Sequence, residues 1–172
     1  GYPAEEEKAK KAKDRTTLWS RRGLEKFKSL ATDKKSLWGI VQGSVYEKLR
    51  EESARELVEM GFDGYALGGL CVGEPPDVMM RIMKHTIQFL PENKPRYFMG
   101  LGSPSHILEA VASGVDVFDC ALPTRTARNG MVFTKDGPYQ IRNAQFKDDL
   151  YPLELGCHCY ACKNYNRAFV RH

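Results

Sequence analysis

Apolar and polar positions alternate along the chain in a repeating order of strand and helix. Four short apolar runs have the length of buried strands and lie near residues 37–41, 64–67, 96–99 and 115–118. Apolar residues at helical spacing between these runs predict three amphipathic helices, over residues 45–60, 75–90 and 103–112. Gly61 is placed to end the first of these helices, and the third starts at its cap residue Ser103 and ends at Gly114.

The repeat predicts an α/β fold, because strand–helix–strand units at this spacing pair their strands in parallel. Two architectures fit four such units: a doubly wound open sheet, or half of a (β/α)₈ TIM barrel. A complete barrel typically needs about 250 residues, more than the 172 of this chain. Both architectures place their sites at the carboxyl ends of the strands, so the position of polar residues does not separate them.

The two ends of the chain depart from this repeat. Residues 4–30 predict one or two exposed helices that are loosely attached at their start. Residues 130–142 predict a β-hairpin around Asp136-Gly137, and residues 160–171 a closing helix.

Composition narrows the class of protein. Hydrophobic residues make up 42% and charged residues 28%, which excludes a wholly disordered or collagen-like chain. The sequence has no run of roughly 20 apolar residues and no apolar signal region near its start, so we expect a cytoplasmic protein without a membrane partner. The net charge of +4 is too small to identify a nucleic-acid partner by itself.

Asp119 is the strongest candidate for chemistry. It follows an apolar strand and precedes Pro123-Thr124-Arg125, so we expect a semi-buried carboxylate at the mouth of the sheet. Such an acid can act as a nucleophile or general base, with its ionisation tuned by burial and by nearby arginines. The structural alternative is that Asp119 caps the next helix or pairs with Arg125.

Other candidate residues follow other strands. The amide of Gln42 could read the edge of a purine-like heterocycle, and Gly68-Gly69 would let a flat ligand approach the backbone. The glycine-rich segment 68–74 matches no phosphate-binding fingerprint. Residues 124–130 form a predicted loop with two arginines and no acid, suited to phosphates and base edges, or simply solvated.

The five cysteines do not resemble a disulfide framework. Cys157, Cys159 and Cys162 fall within six residues, and three close thiolates would repel one another without a cation. Zn²⁺ binds such ligands tetrahedrally, which favours metal ligation over redox or packing roles and requires a fourth ligand. His158 and His172 are candidates within the chain, although the position of His158 between two ligands makes it awkward.

Taken together, these segments resemble the tRNA-guanine transglycosylases, also called queuine tRNA-ribosyltransferases. The resemblance covers nearly the whole chain and rests on six segments in the family's order: Val41-Gln42-Gly43-Ser44, residues 68–74, Arg96-Tyr97-Phe98-Met99-Gly100, residues 118–125, Ala127-Arg128-Asn129-Gly130 and the cysteine cluster. It implies a (β/α)₈ barrel with an inserted zinc-binding subdomain. Residues 1–129 would form βα units with the active-site strands, and residues 130–172 the hairpin and an incomplete zinc subdomain.

The resemblance also implies an activity. The family exchanges the guanine at the anticodon wobble position of tRNA for a 7-deazaguanine base in queuosine biosynthesis. Asp119 matches the nucleophile that attacks C1′ of the ribose, expels guanine and forms a covalent intermediate, which the incoming base resolves with retention. This is double displacement, as in retaining glycosidases. Val72 favours the bacterial type, which uses the precursor preQ1.

Further site residues are carried over from the family. The base pocket matches Gln42, Gly69, Leu70, Cys71, Val72, Met99 and Gly100. Two stretches match RNA-binding segments: Gly100, Leu101, Gly102, Ser103, Pro104, Ser105 and His106, and Thr124, Arg125, Thr126, Ala127 and Arg128. Cys157, Cys159 and Cys162 match three zinc ligands, and the fourth, a histidine, lies beyond His172 in the family.

The resemblance has consequences for the segment itself. In the family, the early barrel strands and a second essential aspartate precede the matched region. We therefore expect this chain to be the C-terminal part of a longer enzyme, incomplete at both ends. Alone it should be inactive and poorly folded, because half a barrel exposes two sheet edges. Related bacterial enzymes are homodimers. The alternatives are a non-catalytic zinc-containing tRNA-binding subunit of the same family and a flavodoxin-like module.

Overall fold

A computed structural model describes residues 2–30 and 35–172, which form two compact units that divide after Cys120. The helices of the first unit are α1 (Glu6–Ser29), α2 (Glu47–Met60), α3 (Pro76–Ile87) and α4 (Pro104–Ala112). Its strands are β1 (Trp38–Val41), β2 (Gly64–Leu67), β3 (Arg96–Phe98) and β4 (Val117–Phe118). The predicted alternation of strand and helix is confirmed.

The four strands form one parallel sheet in the sequential order β1-β2-β3-β4. Val41 pairs with Leu67, Leu67 with Phe98, and Phe98 with Phe118, so the four strands end at one edge. A doubly wound sheet reverses its strand order at a switch point, and the described strands show no such reversal. Sequential order is what consecutive units of a barrel require.

The core of this unit lies between the sheet and its helices. Val41, Leu67 and Phe98 are fully buried, as are Ile82 and Met83 of α3. Each such side chain contributes about 1.5–3 kcal/mol when it leaves water. All four residues of β2, the second strand, are buried.

Helix α1 is one continuous helix, and it is anchored rather than loosely attached. Lys13 is buried, and its Nζ lies 3.0 Å from Glu56 and 3.8 Å from Glu52 on α2. Near the start of the chain the hydroxyl of Tyr46 donates to the carbonyl of Ala4 at 2.7 Å. The expectation of a loose start was wrong because a helix poor in apolar residues can dock through ion pairs and small side chains.

The second unit, residues 121–172, contains three short helices and a hairpin. Helix α5 (Leu122–Arg128) precedes β5 (Met131–Thr134) and β6 (Gly137–Gln140), which pair in antiparallel as predicted. A 3₁₀ turn (Ala144–Phe146) follows. The single helix predicted over residues 160–171 is instead two helices, α6 (Tyr160–Asn164) and α7 (Arg167–Arg171).

The break between α6 and α7 has a local cause. Tyr165 and Asn166 are extended, and the Asn166 side chain accepts the amide of Phe169 at 2.8 Å, so it caps a new helix. The two compact units divide after Cys120 because α5 packs on the hairpin, and the domain division after residue 129 stays a prediction. Within residues 2–30 and 35–172, every helix is too short or too polar to cross a bilayer.

Candidate active site

The first unit gathers its polar candidates at the carboxyl edge of the sheet. Gln42 follows β1, Gly68-Gly69 follow β2, Met99-Gly100 follow β3 and Asp119 follows β4. Since parallel strands end at one edge, residues that are far apart in sequence lie along a single line of strand ends. This is the edge where α/β folds bind their ligands.

Asp119 is held by two donors from the β3 segment. Its Oδ1 accepts the Tyr97 hydroxyl at 2.6 Å and the Gly100 amide at 2.8 Å. Asp119 is exposed, so the expectation of a semi-buried acid was wrong. The Tyr97 hydroxyl, followed by the Gly100 amide, lowers the pKa of the Asp119 carboxyl below its ordinary value. The group is therefore a carboxylate at neutral pH, held by neutral donors rather than by arginine charge.

The helix-capping role considered for Asp119 is not observed, since α5 has Ala121 at its N-cap and no side-chain cap. Tyr97 had no assigned role in the sequence analysis. Its ring meets that of Trp38 edge to face at 6.3 Å, which supports the hydroxyl from the neighbouring side. A tyrosine in a strand ordinarily reads as packing, so its role became visible only through the pairing of β3 with β4.

Gln42 lies against the two glycines that follow β2. A Cβ on Gly68 would lie 2.8 Å from Gln42 Nε2, and one on Gly69 would lie 2.6 Å from Gln42 Oε1. Gly69 also has φ +68°, a conformation that side chains disfavour. The two glycines are therefore needed so that the Gln42 amide can approach the backbone of β2.

The segment after Gly69 forms a tight turn around a buried acid. The Glu74 carboxylate accepts hydrogen bonds from the backbone amides of Cys71 and Val72, the latter at 3.1 Å. Cys71 has φ +61°. Leu70 lies in the hydrophobic core, whereas Val72 is exposed. Burial, assisted by Glu74, raises the pKa of the Cys71 thiol to about 11, so this thiol stays protonated.

Glu74 was missed as a site residue, since an acid after a glycine reads as surface. Only the turn formed by Cys71 and Val72 shows that its carboxylate organises the backbone of the predicted base pocket.

The stretch from Gly100 to His106 begins at the sheet edge and enters α4. Met99 is half-buried, and Gly100 takes φ +84° as its amide turns toward Asp119. Leu101 is buried in the core, so only its backbone is available to a ligand. A side chain on Gly102 would overlap Cys120. The remaining predicted RNA-binding residues of this stretch are exposed or half-buried: Ser103, Pro104, Ser105 and His106.

Ser103 is the N-cap residue of α4, as predicted, but its side chain makes no cap hydrogen bond. Its Oγ lies 3.3 Å from the Ser105 Oγ instead.

In the second unit, the residues predicted as an RNA-binding loop lie on helix α5. Thr124, Arg125, Ala127 and Arg128 are exposed. The hydroxyl of Thr126 donates to the carbonyl of Leu122 at 2.7 Å, as polar side chains do within helices. The loop prediction was wrong because Pro123 near the start of the segment favours a helix's first turn. The arginines nevertheless remain exposed.

The cysteine cluster is brought together as predicted. The Sγ atoms of Cys157, Cys159 and Cys162 all lie within 4.8 Å of one another, and all three cysteines are free of disulfides. A tetrahedral zinc with Zn–S bonds of about 2.3 Å places its sulfurs about 3.8 Å apart, so these donors fit. The amide of Cys162, with the neighbouring thiols, lowers the pKa of the Cys159 thiol. In the described part of the chain no further histidine, cysteine or carboxylate joins this group.

Comparison with known proteins identifies the family. The family described as queuine tRNA-ribosyltransferase matches residues 1–172. The chain belongs to the queuine tRNA-ribosyltransferase family. Curated relatives with that name include proteins of Thermoanaerobacter sp. at 53% identity, and of Shewanella sp. and Listeria monocytogenes at 52%, each over 99% of this chain. The chain spans 45–46% of the length of these relatives and corresponds to their C-terminal portion.

Membership in the queuine tRNA-ribosyltransferase family confirms the resemblance drawn from the motifs. The relatives are named for ribosyl transfer on tRNA. The sequential strand order argues against the flavodoxin-like alternative.

Proposed function

We propose that the complete protein exchanges guanine at the anticodon wobble position of tRNA for a 7-deazaguanine base, the preQ1 precursor, in queuosine biosynthesis. The observation that carries this proposal is the setting of Asp119, an exposed carboxylate held at a strand end by Tyr97 and Gly100. A group held in its charged form by fixed donors and open to a large substrate is suited to nucleophilic attack. An acid that served only packing would be buried or paired with a cation.

In this mechanism Asp119 attacks C1′ of the target ribose as the C1′–N9 bond to guanine breaks. Because Oδ1 already accepts two hydrogen bonds, we assign the attack to Oδ2. The product is a covalent ester between Asp119 and the ribose. N9 of the incoming base then attacks C1′ and releases the carboxylate, and two inversions give net retention. The leaving guanine gains a proton at N9 and the incoming base loses one, and we assign both transfers to the second aspartate that the family carries before this segment.

We assign recognition of the base mainly to the residues that follow β1 and β2. The Gln42 amide offers a donor and an acceptor to the heterocycle edge, and Gly69 allows a flat ligand to approach the backbone. Residues around them complete the pocket: Leu70, Cys71, Val72, Met99 and Gly100. A neutral Cys71 thiol adds no charge beside the base.

We assign recognition of tRNA to helix α5 and to the stretch that follows β3. Arg125 and Arg128 lie one turn apart on α5, and no acid lies within Leu122–Arg128. Guanidinium groups bind phosphates as two-pronged donors, so this helix suits the nucleotides around the wobble position. We assign Gly100–His106 to the same role, with Leu101 contributing only backbone.

Zinc would be held by Cys157, Cys159 and Cys162, with a fourth ligand from beyond this chain. Bound there, the ion would neutralise three thiolates and fix the segment around α6. The exposed rings of Tyr160 and Phe169 flank Tyr165 nearby. Aromatic groups of this size are typical of interfaces, which supports a homodimer of the complete protein.

The test is exchange by the complete protein. With tRNA carrying guanine at the wobble position, labelled guanine should enter the RNA, and labelled tRNA without an incoming base should form an ester adduct that survives denaturation. A protein that binds this tRNA but neither exchanges guanine nor forms the adduct would instead be the non-catalytic subunit. Replacement of the wobble guanine by adenine in the tRNA is the matched control and should abolish both signals.

A further inference from the structure

A buried arginine lies directly beneath the strand ends that carry Gln42 and Gly69. Arg50, on α2, is fully buried, and its guanidinium bonds to backbone carbonyls. Nε donates to Ser44 at 2.7 Å, while Nη1 donates to Val41 at 3.1 Å and to Gly68 at 2.7 Å. Burial lowers the pKa of Arg50 to about 10, so it remains charged at neutral pH.

One turn later on the same helix, Ser53 makes the complementary contact. Its Oγ, also buried, accepts the backbone amide of Gln42 at 3.1 Å. Arg50 and Ser53 are three residues apart and therefore share a face of α2. Together they form hydrogen bonds with the Val41 carbonyl, the Gln42 amide and the Ser44 carbonyl.

The backbone held in this way is strained. Ser44 has φ +53° without being glycine, and Gly43 has φ +141°. A non-glycine residue in this region costs about 1–2 kcal/mol and persists where its surroundings fix it. The bond from Arg50 Nε to the Ser44 carbonyl supplies such a constraint. The bond to Gly68 extends it to the residue before Gly69, and Arg50 Nη2 lies 3.8 Å from where a Cβ on Gly69 would be.

We propose that Arg50, assisted by Ser53, is a positioning residue for base recognition: it fixes the β1 and β2 ends so that the Gln42 amide and the Gly69 backbone present one edge to the heterocycle. This inference rests on the proposed function and names a group outside the base pocket. Lysine could not replace Arg50, because a single ammonium group cannot donate to all three carbonyls that the planar guanidinium reaches.

Arg96 provides a matched control. It too is a buried arginine bonded to backbone carbonyls, with Nη2 donating to Leu90 at 2.6 Å and Nη1 to Gly114 at 3.4 Å. These bonds lie at the amino edge of the sheet, away from the candidate site. A purely structural effect of replacing a buried arginine should therefore appear at both positions as a loss of stability.

The experiment compares Arg50→Lys, Ser53→Ala and Arg96→Lys in the complete protein by base exchange and thermal unfolding. Arg50→Lys should raise the KM for the incoming base about tenfold and change the KM for tRNA less than about twofold, because phosphate contacts dominate tRNA affinity. Ser53→Ala, which removes one bond, should raise the base KM about threefold. Arg96→Lys should also lower the melting temperature, while both KM values stay within about twofold.

The outcomes separate the two proposals. Stability losses in both arginine variants, with the base KM of Arg50→Lys unchanged, would overturn the positioning role and leave the exchange activity standing. If Arg50→Lys does not fold, Ser53→Ala decides: a raised base KM with unchanged tRNA KM supports the role, and an unchanged base KM overturns it. Wild-type protein that does not exchange guanine would overturn the proposed function and this inference with it.

Discussion

Substitution of Gly69 tests how the side-chain amide of Gln42, the proposed base-recognition group, is placed. A Cβ at this position would lie 2.6 Å from the Oε1 of Gln42, closer than non-bonded atoms approach. The residue also has φ +68°, where an alanine costs about 1–2 kcal/mol. Gly69→Ala therefore introduces two penalties, one in the backbone and one in the position of the Gln42 side chain.

The second penalty determines the functional result. Because the nearest atom is the end of a flexible side chain, Gln42 should swing aside at a cost of about 0.5–1.5 kcal/mol, and the total loss of stability should stay near 2–3 kcal/mol. The displaced amide would lose the two hydrogen bonds that we propose it makes to the base, each contributing about 0.5–1.5 kcal/mol. The KM for the incoming base should then rise roughly five- to hundredfold.

Gly61→Ala is a control that separates the effect of backbone strain from the effect of displacing the Gln42 side chain. Gly61 ends α2 at φ +78°, and a Cβ there would meet nothing within 4 Å. It should lose about 1–2 kcal/mol of stability through the same strain and leave the base KM unchanged. The assay is base exchange at saturating tRNA in the complete protein, with denaturant unfolding of each variant. Equal changes in base KM for both variants would refute the reasoning.

Three further predictions concern the other site residues in the complete protein. Asp119→Asn should keep tRNA binding but form no adduct on a denaturing gel, because an amide is a far poorer nucleophile than a carboxylate; an adduct at the wild-type level would end its assignment. Arg125→Ala or Arg128→Ala should weaken tRNA binding about tenfold with base binding unchanged, and the reverse pattern would contradict their role. Metal analysis should give one zinc per chain, lost in Cys159→Ser, whereas bound iron would argue against the site.

The sheet could be predicted from the sequence because its strands are short apolar runs closed by glycine or polar residues. Failures occurred where local propensity was weak or was overridden. Helix α1 has few apolar residues, so its docking through Lys13 left no hydrophobic pattern to detect. The break at Tyr165-Asn166 depends on a cap bond to Phe169, and an aromatic-rich segment still reads as one helix.

Candidate residues with distinctive chemistry could be recognised in the sequence, whereas residues that hold the backbone or another side chain in place could not. Asp119 and the cysteines stand out because a strand-end acid and a thiol cluster are unusual in any sequence. Arg50, Glu74 and Tyr97 do not, since each occupies an ordinary place in a helix, a turn or a strand. Their partners are backbone carbonyls, backbone amides and a carboxylate that follows another strand, and only tertiary structure brings these together.

Sheet register determines how sensitive the proposed reaction is to substitutions outside the candidate site. The Asp119 carboxylate is aligned by donors from the neighbouring strand, across the pairing of Phe98 with Phe118. Gln42 is aligned across the pairing of Val41 with Leu67. The nucleophile and the base-reading edge are therefore each fixed by sheet register, and the pairing of β2 with β3 sets the distance between them. Sites built on strand ends hold such distances more tightly than loops do. A substitution that leaves a cavity beside the pairing of β2 with β3 should therefore slow base exchange, even though every site residue is retained.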